Sequence, residues 1–317
     1  MRRTLVVAPN WIGDALMAQP LLARLKGKRP GVAIDVLAPD WVAPVVRRMP
    51  EVDEVIVAPF RHGALQLRER WRLGRALRGR YDQAIVLPNT WKSALVPFVA
   101  EIAVRSGYVG ESRFGLLNLR HRRKPSPMAE HYARLSEPPG AEPAGPLPAP
   151  ALRVSAEEIR GVSERFGLPP GYVALAPGAE YGPAKRWPYF AELSRKLDLP
   201  AVIVGSKNDL EAARNVGGTN LVGKTSLDEA IVVIAGARAV VSNDSGLMHV
   251  AAALGRPQVA IFGSSSPQHT PPQSSAARVL WLRIECSPCF RRECPLGHFR
   301  CMRDISVEQV LRELPAA

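Results

Sequence analysis

The sequence has few aromatic residues and no long apolar run, and each shortage excludes a class of protein. Aromatic residues make up 6% of the 317 positions, too few to interleave with basic residues as a single-stranded nucleic-acid surface requires. No apolar run approaches the roughly 18 residues that a membrane-spanning helix needs. The apolar run after Arg2 and Arg3 is also too short for the core of a signal peptide. We therefore expect a cytoplasmic chain that does not bind nucleic acid.

Two glycine-rich nucleotide-binding motifs are also absent. There is no G-x-x-x-x-G-K-[ST] segment, which argues against a P-loop nucleotide hydrolase. No G-x-G-x-x-G segment follows the first predicted strand of either half, which argues against a standard dinucleotide-binding fold.

Acidic residues are too few to balance the basic ones. The chain has 42 Lys and Arg against 29 Asp and Glu, a net charge of +13, and residues 1–150 account for +10 of it. The first half therefore favours an anionic partner: a phosphorylated lipid surface, a phosphorylated acceptor or, as the alternative that the shortage of aromatic residues disfavours, nucleic acid. A generally arginine-rich proteome is the alternative explanation.

Apolar runs alternate with helix-like segments in both halves, which predicts α/β domains with doubly wound parallel sheets. We predict strands near residues 4–9, 32–38, 53–58, 83–87, 103–109, 172–176, 201–204, 219–222, 238–242 and 257–261. We predict helices near residues 13–27, 40–48, 64–78, 91–100, 155–166, 187–197, 207–215, 226–235, 246–254 and 306–314, the last capped by Ser306.

A segment rich in Pro, Gly and Ala, residues 136–150, interrupts this pattern and is typical of a linker. It predicts two domains, 1–150 and 151–317. Two such domains would face each other across a cleft, with ligands at the carboxyl ends of the strands.

Residues 240–267 predict an anion site in the second domain. A strand ends at Asp244, and Ser245 and Gly246 stand where a helix begins, so free backbone N–H groups and the helix dipole favour a phosphate there. His249 follows on the first turn, and residues 263–265 form a Gly/Ser loop after the next strand. As an alternative, Asp244 is a plain N-cap.

Lys185 lies in a loop after another strand of this domain, where an ammonium group could neutralise a diphosphate. As an alternative, Lys185 is a solvated surface lysine.

Several long motifs resemble one known family. NWIGDALMAQPLL, PNTWKSALVPF, FGLLNLR, APGAEYGPAKRWP and NDSGLMHVAAALGRP are similar to segments of the ADP-heptose:lipopolysaccharide heptosyltransferases of glycosyltransferase family 9. The NWIGD and NDSGLMH motifs are closer to type II members than to type I. The resemblance implies a GT-B fold, with an N-terminal domain for the lipopolysaccharide acceptor and a C-terminal domain for ADP-heptose. It implies an inverting transfer that needs no metal or other cofactor.

The resemblance assigns donor-site roles to residues of the second domain. Lys185 would bind the ADP phosphates, Ser245 and Gly246 would donate backbone N–H bonds, and Asp244 and His249 would shape the pocket. Asn220 stands where related enzymes have an acidic residue that contacts the ribose. This departure leaves ribose recognition open.

Asp14, in the turn after the first strand, is the catalytic base that the resemblance implies. An inverting transfer needs a base for the acceptor hydroxyl. As an alternative, Asp14 caps a helix over 15–26, and a helix N-terminus lowers the pKa of a carboxylate and weakens it as a base. Gly13 would let substrate approach the backbone. Trp11 would stack on a sugar or be a rim residue.

Basic residues of the first domain suit an anionic inner-core acceptor. We predict that Lys92, Arg113 and Arg120 contact it. The arginine-rich segment 61–80 is expected to be a solvated face, or one near the cytoplasmic face of the inner membrane. We expect a monomer in peripheral contact with that membrane.

The cysteines are few and lie together. Their spacing is C-x2-C-x4-C-x6-C, with His298 nearby, at Cys286, Cys289, Cys294 and Cys301. In a cytoplasmic chain such a group favours a metal over disulfides, and four thiolates would make a structural zinc site. Reduced thiols and a disulfide are the alternatives. Arginines within the segment would let it act as an anion-binding flap.

Overall fold

Two compact units, Met1–Pro150 (unit 1) and Ala151–Ala317 (unit 2), make up the chain in the computed structural model. The structure describes residues 2–61 and 63–315. Each unit contains a six-stranded sheet whose paired strands run parallel. The predicted α/β class is therefore confirmed.

The sheet of unit 1 has the strand order β3-β2-β1-β4-β5-β6. Its central strands are nearly continuous apolar runs, as expected of parallel strands covered on both faces. The strands are β1 (Arg3–Val7), β2 (Ala33–Pro39), β3 (Glu54–Ala58), β4 (Gln83–Val86), β5 (Val104–Tyr108) and β6 (Leu119–His121).

The helices of unit 1 are short, and the segment predicted as one helix over 13–27 is two helices. The break falls at Ala18, and Pro20 is the second residue of the second helix, where proline needs no hydrogen-bond partner. The helices are α1 (Ile12–Met17), α2 (Gln19–Lys28), α3 (Ala43–Arg47), α4 (Leu67–Ala76), α5 (Leu95–Val99) and α6 (Met128–Ala133). Trp91–Ala94 and Arg134–Ser136 form 3-10 turns.

The sheet of unit 2 repeats the topology of unit 1, with the order β9-β8-β7-β10-β11-β12. The strands are β7 (Val173–Ala176), β8 (Ala201–Ile203), β9 (Thr219–Asn220), β10 (Ala239–Asn243), β11 (Gln258–Ile261) and β12 (Ala277–Leu280). The helices are α7 (Ala156–Phe166), α8 (Phe190–Lys196), α9 (Leu227–Gly236), α10 (Gly246–Ala253), α11 (Arg300–Arg303) and α12 (Val307–Glu313). Pro183–Lys185 and Lys207–Asp209 form 3-10 turns.

Serine capping boxes begin three helices of unit 2. Ser155, Ser226 and Ser306 each accept a bond from the backbone three residues later, whose side chain bonds back to the serine N–H. The predicted cap at Ser306 is confirmed.

Some sequence predictions were wrong or incomplete. The outer strands β6 and β12 and the helices α6 and α11 were not predicted. The helix predicted over 207–215 is only the 3-10 turn Lys207–Asp209, which begins with a capping box: the Asp209 carboxylate accepts the Ser206 N–H and hydroxyl at 2.8 Å. That carboxylate also packs on Gly178, where an added Cβ would lie 2.2 Å from it.

The start of the predicted linker is held on unit 1 by ion pairs. Glu137 contacts Arg24 at 2.7 Å and Lys28 at 2.5 Å. The hydrogen bond from Lys28 is the main reason that the pKa of Glu137 falls to about 2.

Two helical glycines give a matched test of packing in unit 1. A Cβ at Gly74 of α4 would lie 2.6 Å from Val99 Cβ of α5, whereas a Cβ at Gly27 of α2 meets nothing within 4 Å. We expect Gly74→Ala to lower the free energy of unfolding by about 1–3 kcal/mol through overpacking. Gly27→Ala should raise it by up to about 1 kcal/mol, since alanine favours helix. Denaturant unfolding measures both, and equal effects would contradict the α4–α5 contact.

Candidate functional site

The carboxyl ends of β7 and β10 lie side by side where the strand order of unit 2 reverses. Buried Asn243 joins them: its Nδ2 donates to the Pro177 carbonyl at 2.7 Å, and its Oδ1 accepts the Trp187 N–H at 3.0 Å. Ligands of open parallel sheets bind beside such a reversal. Asn243, which the sequence analysis did not single out, therefore fixes the loops around a candidate ligand site.

Lys185 and Asp244 form an ion pair at this sheet edge. Lys185 Nζ lies 2.5 Å from Asp244 Oδ2, and the Ser265 hydroxyl donates to the same oxygen at 2.5 Å. The Lys185 side chain is 17% exposed and that of Asp244 is 5% exposed. The hypothesis of a solvated lysine is therefore wrong, and the structure brings these two predicted residues together.

The start of α10 presents unpaired polar groups beside this ion pair. Ser245, not Asp244, is the N-cap residue, and no side chain caps the helix. The alternative that Asp244 is a plain N-cap is thus wrong. The hydroxyls of Ser245 and Ser264 are buried without a hydrogen-bond partner. Uncapped N–H groups that begin at Gly246, together with buried hydroxyls, are groups that a bound phosphate would satisfy.

His249 is buried on α10 and faces the same ion pair. Burial is the main reason that the pKa of His249 falls to about 4; the charge of Asp244 raises it and that of Lys185 lowers it. His249 is therefore neutral at pH 7 and can act there as a hydrogen-bonding group without adding charge.

This depressed pKa makes unit 2 sensitive to acid. Unfolded histidine titrates near 6.5, so the unfolded state binds more protons between about pH 4 and 6.5. The contribution of neutral His249 is fully present above pH 6.5, and about 3 kcal/mol is lost as the pH falls to 4. We expect His249→Gln to flatten stability against pH in this window in denaturant titrations. The exposed His269→Gln is the control, and an unchanged slope in His249→Gln would contradict the assignment.

Asn220 lies apart from this cluster, at the end of the outer strand β9. Its Oδ1 accepts the Val222 N–H at 3.0 Å, and its carbonyl accepts Lys224 Nζ at 2.9 Å. The contacts described for Asn220 thus stabilise its own turn, and ribose contact remains a prediction.

In unit 1, Asp14 occupies the first turn of α1. The helix begins at Ile12 with Trp11 as N-cap, so the hypothesis that Asp14 caps a helix over 15–26 is wrong. The buried Tyr132 hydroxyl lies within the electrostatic reach of Asp14: burial raises the pKa of Tyr132, and the Asp14 charge raises it further. Trp11 is 50% exposed at this turn, and Gly13 is partly buried.

A cavity of about 70 Å³ opens at the carboxyl ends of β1, β2 and β4 in unit 1. Lys92 lines it and donates to the Gly63 carbonyl at 2.9 Å. Trp41 also lines it, and its indole N–H donates to the Asn10 carbonyl at 2.8 Å, next to the NWIGD turn. Polar and aromatic side chains on the wall include Asn10, Trp41, Arg61, Arg70, Thr90 and Lys92.

Arg70 is a buried member of the arginine-rich segment, and the sequence analysis missed its part in the cavity. Its guanidinium lies 4.0 Å over the Phe60 ring and donates to the carbonyls of Leu65 at 2.6 Å and Lys92 at 3.1 Å. Arg70 lies one helical turn before Gly74 and therefore on the same face of α4, and this spacing could have indicated that Arg70 is buried. The arginines 68, 72 and 75 of α4 are exposed, as both a solvated face and a face near the membrane require.

The other two predicted acceptor residues differ sharply. Arg113 is only 2% exposed and donates to the carbonyls of Pro88, at 2.7 Å, and Tyr108. We therefore correct its predicted acceptor contact: Arg113 holds the loop after β4. Arg120 is exposed on β6, with its guanidinium 5.5 Å from the Phe114 ring centroid.

Comparisons with known proteins agree with this architecture. The sequence profile of glycosyltransferase family 9 (heptosyltransferase) matches residues 70–300. Lipopolysaccharide heptosyltransferase 2 of Salmonella typhimurium is 43% identical, over 98% of this chain and 97% of the relative. Lipopolysaccharide heptosyltransferase 1 of Pseudomonas aeruginosa is 28% identical, over 98% of this chain and 93% of the relative.

A solved structure gives the same result for the fold. The structure of E. coli ADP-heptose lps heptosyltransferase II superposes with a TM-score of 0.88 at 40% identity, covering 99% of this chain and 97% of that one. Among the described residues, no helix combines the length and apolar character that crossing a bilayer requires. With its two parallel six-stranded sheets and a profile match over most of its length, the chain belongs to glycosyltransferase family 9 and is a glycosyltransferase of the GT-B fold.

Proposed function

We propose that the chain transfers L-glycero-D-manno-heptose from ADP-heptose onto the heptosyl-Kdo2-lipid A inner core of lipopolysaccharide. One group of polar residues in unit 2 carries this proposal, and we call it the anion-ready edge. It comprises the ion pair of Lys185 with Asp244, the adjacent uncapped start of α10, and the hydroxyls of Ser245 and Ser264, which are buried without hydrogen-bond partners. A nucleoside diphosphate supplies the negative charge and the acceptor oxygens that these groups need.

The donor residues have distinct parts in this proposal. Lys185 neutralises the diphosphate, and the N–H groups at Ser245 and Gly246 bind its oxygens. Asp244, which accepts bonds from Lys185 and Ser265, holds the ammonium in place before substrate binds. Buried His249 is neutral at pH 7, so it adds no second positive charge beside Lys185. Lys185 then supplies the positive charge that stabilises the diphosphate as it leaves.

Asp14 is the proposed base in unit 1. The acceptor hydroxyl oxygen attacks the anomeric carbon, the bond from that carbon to the diphosphate breaks, and ADP leaves with its electron pair. Asp14 takes the hydroxyl proton, and the single displacement inverts the anomeric centre. No step requires a metal or a cofactor.

The cavity of unit 1 is the proposed acceptor site. Lys92 and Arg61 on its wall supply positive charge for the phosphates and acidic sugars of the inner core, and Trp41 supplies an aromatic surface. Exposed Arg120 would contact more distant anionic groups, and Trp11 would border the reacting sugar. The exposed arginines of α4 favour peripheral contact with the anionic face of the inner membrane.

The proposed enzyme differs from a type I or type III heptosyltransferase in the acceptor that receives the heptose. Relatives named heptosyltransferase 2 are more similar to this chain than the Pseudomonas heptosyltransferase 1, which favours the type II acceptor. A transferase for another ADP-sugar is the remaining alternative within the family.

The direct test is ADP release from ADP-heptose with purified acceptors. We expect turnover with heptosyl-Kdo2-lipid A and little with Kdo2-lipid A, which lacks the heptose. Preference for the second acceptor would indicate type I activity. Absence of turnover with any inner-core acceptor would overturn the proposal.

A further inference from the structure

The four cysteine side chains of the 286–301 segment line one small cavity in unit 2. Its volume is about 20 Å³, which is enough for one water-sized molecule or ion. His298 also lines it, with Nε2 3.9 Å from the Cys286 sulfur. All four thiols are free, so the disulfide alternative is not what the structure shows. The four sulfurs thus belong to one cluster, although 15 positions separate the first cysteine from the last.

The turn after Cys294 brings a backbone donor to its sulfur. The Phe299 N–H donates to Cys294 Sγ at 3.4 Å. Gly297 makes this turn possible with a φ of +70°. Amide donors around a sulfur stabilise the thiolate, which is the form of cysteine that binds metals.

We propose that Cys286, Cys289, Cys294 and Cys301 bind one soft divalent cation of the zinc class. Four cysteine side chains that line one cavity supply the ligand types and number of a four-thiolate structural zinc site. Among the described residues no three His, Cys, Asp or Glu side chains already stand at metal-binding spacing, and the proposal therefore requires the thiols to turn toward the centre of the cavity when the cation binds. Each thiol gives up its proton to solvent, and each thiolate donates an electron pair to the cation.

The bound cation would hold in place two loops of the anion-ready edge, the one that carries Lys185 and the one that carries Ser264. Tyr181, in the loop that carries Lys185, donates from its hydroxyl to the Phe290 carbonyl at 2.6 Å, and the Ala184 N–H donates to the Arg292 carbonyl at 3.0 Å. The Phe290 N–H donates to the carbonyl of Ser264, in the opposite loop, at 2.7 Å. The cysteine segment therefore positions the Lys185 loop, and this second part of the inference rests on the proposed function.

Metal content tests the site without using activity. The full chain, purified under reducing conditions and reloaded with Zn²⁺, should hold about one ion, and Co²⁺ should give the intense absorption of a tetrahedral thiolate complex. Cys294→Ser and Cys286→Ser should each lose most of the bound metal. His298→Ala is the matched control and should retain it.

Thiol titration keeps the test independent of mutant folding. In the wild-type chain, Zn²⁺ should protect all four thiols from modification, and a chelator should expose them. Four reactive thiols and less than about a tenth of an ion per chain after reloading would overturn the site. A disulfide found by mass spectrometry in the reloaded chain would also overturn it.

ADP binding separates the positioning role from the site itself. We expect the zinc-loaded chain to bind ADP several-fold more tightly than the chelator-treated chain. Bound zinc with equal ADP affinity in both states would overturn the positioning role and leave the metal site intact. Bound zinc with no ADP affinity in either state would instead contradict the proposed function.

Discussion

Replacement of Asp14 by asparagine is expected to lower kcat by about 10²–10⁴-fold, the usual contribution of a positioned general base. Asparagine keeps the size of the side chain but cannot take the acceptor proton. The affinity for ADP should not change, because Asp14 belongs to unit 1 and the proposed donor residues belong to unit 2. Steady-state kinetics and calorimetric ADP titration measure the two quantities on the same preparation.

Glu69→Gln is the matched control for Asp14, because Glu69 is also an acid in the first turn of a helix of unit 1. Loss of a first-turn acid costs about 0.3–1 kcal/mol of stability through the helix dipole. Both variants should show that small loss, and only Asp14→Asn should lose turnover. Near-normal turnover in Asp14→Asn would remove Asp14 from catalysis and leave it a structural residue of α1.

Replacement of Lys185 by methionine should weaken ADP binding and destabilise unit 2 together. The carboxylate of Asp244 would stay buried with only the Ser265 hydroxyl as a described partner. Breaking a buried ion pair by removing one partner costs about 3–5 kcal/mol. Loss of a charge-assisted bond to phosphate should weaken ADP binding by roughly 10–100-fold. Thermal or denaturant unfolding and ADP titration measure these effects separately.

Two further variants separate the charge effect from the packing effect. In Lys185→Met/Asp244→Asn the unpaired carboxylate is gone, so most of the stability should return while ADP binding stays weak. Lys196→Met, at the exposed pairs with Glu192 and Glu308, should change stability far less than Lys185→Met, because solvent screens exposed ion pairs. Equal destabilisation by Lys185→Met and Lys196→Met would contradict the buried pair.

Local sequence signals predicted the sheets well because the central strands are continuous apolar runs bounded by loops. The predictions failed where local signals were weak or were overridden. The outer strand β6 has only three residues, two of them polar, and β12 is exposed at Arg278 and Val279, so neither has the buried apolar pattern of the central strands. The capping box at Ser206 begins only a 3-10 turn, whereas the same motif begins full helices elsewhere in unit 2, so this local start signal did not suffice for the helix predicted over 207–215.

The site residues show the same division. Local patterns pointed to Lys185 and Asp244 near the ends of strands, where parallel sheets place ligands, whereas the role predicted for Asp14 came from the family resemblance. The roles of Asn243, Arg70 and Arg113 depend on carbonyls far away in sequence, so no local pattern contains them. Arg113 was predicted to contact the acceptor because charge suggests exposure, yet its burial against the carbonyls of Pro88 and Tyr108 decides its role.

By itself, then, the sequence determined the α/β class, the two sheets, the cap at Ser306 and the strand-to-helix turns at Asp14 and Asp244, since each depends on residues close together in the chain. Only the tertiary structure decided which charges are buried. It paired Lys185 with Asp244 across 59 positions, lowered the pKa of His249 to about 4 and gathered four thiols around one cavity. Burial and electrostatic pairing arise from neighbours in space, and those neighbours exist only once the chain has folded.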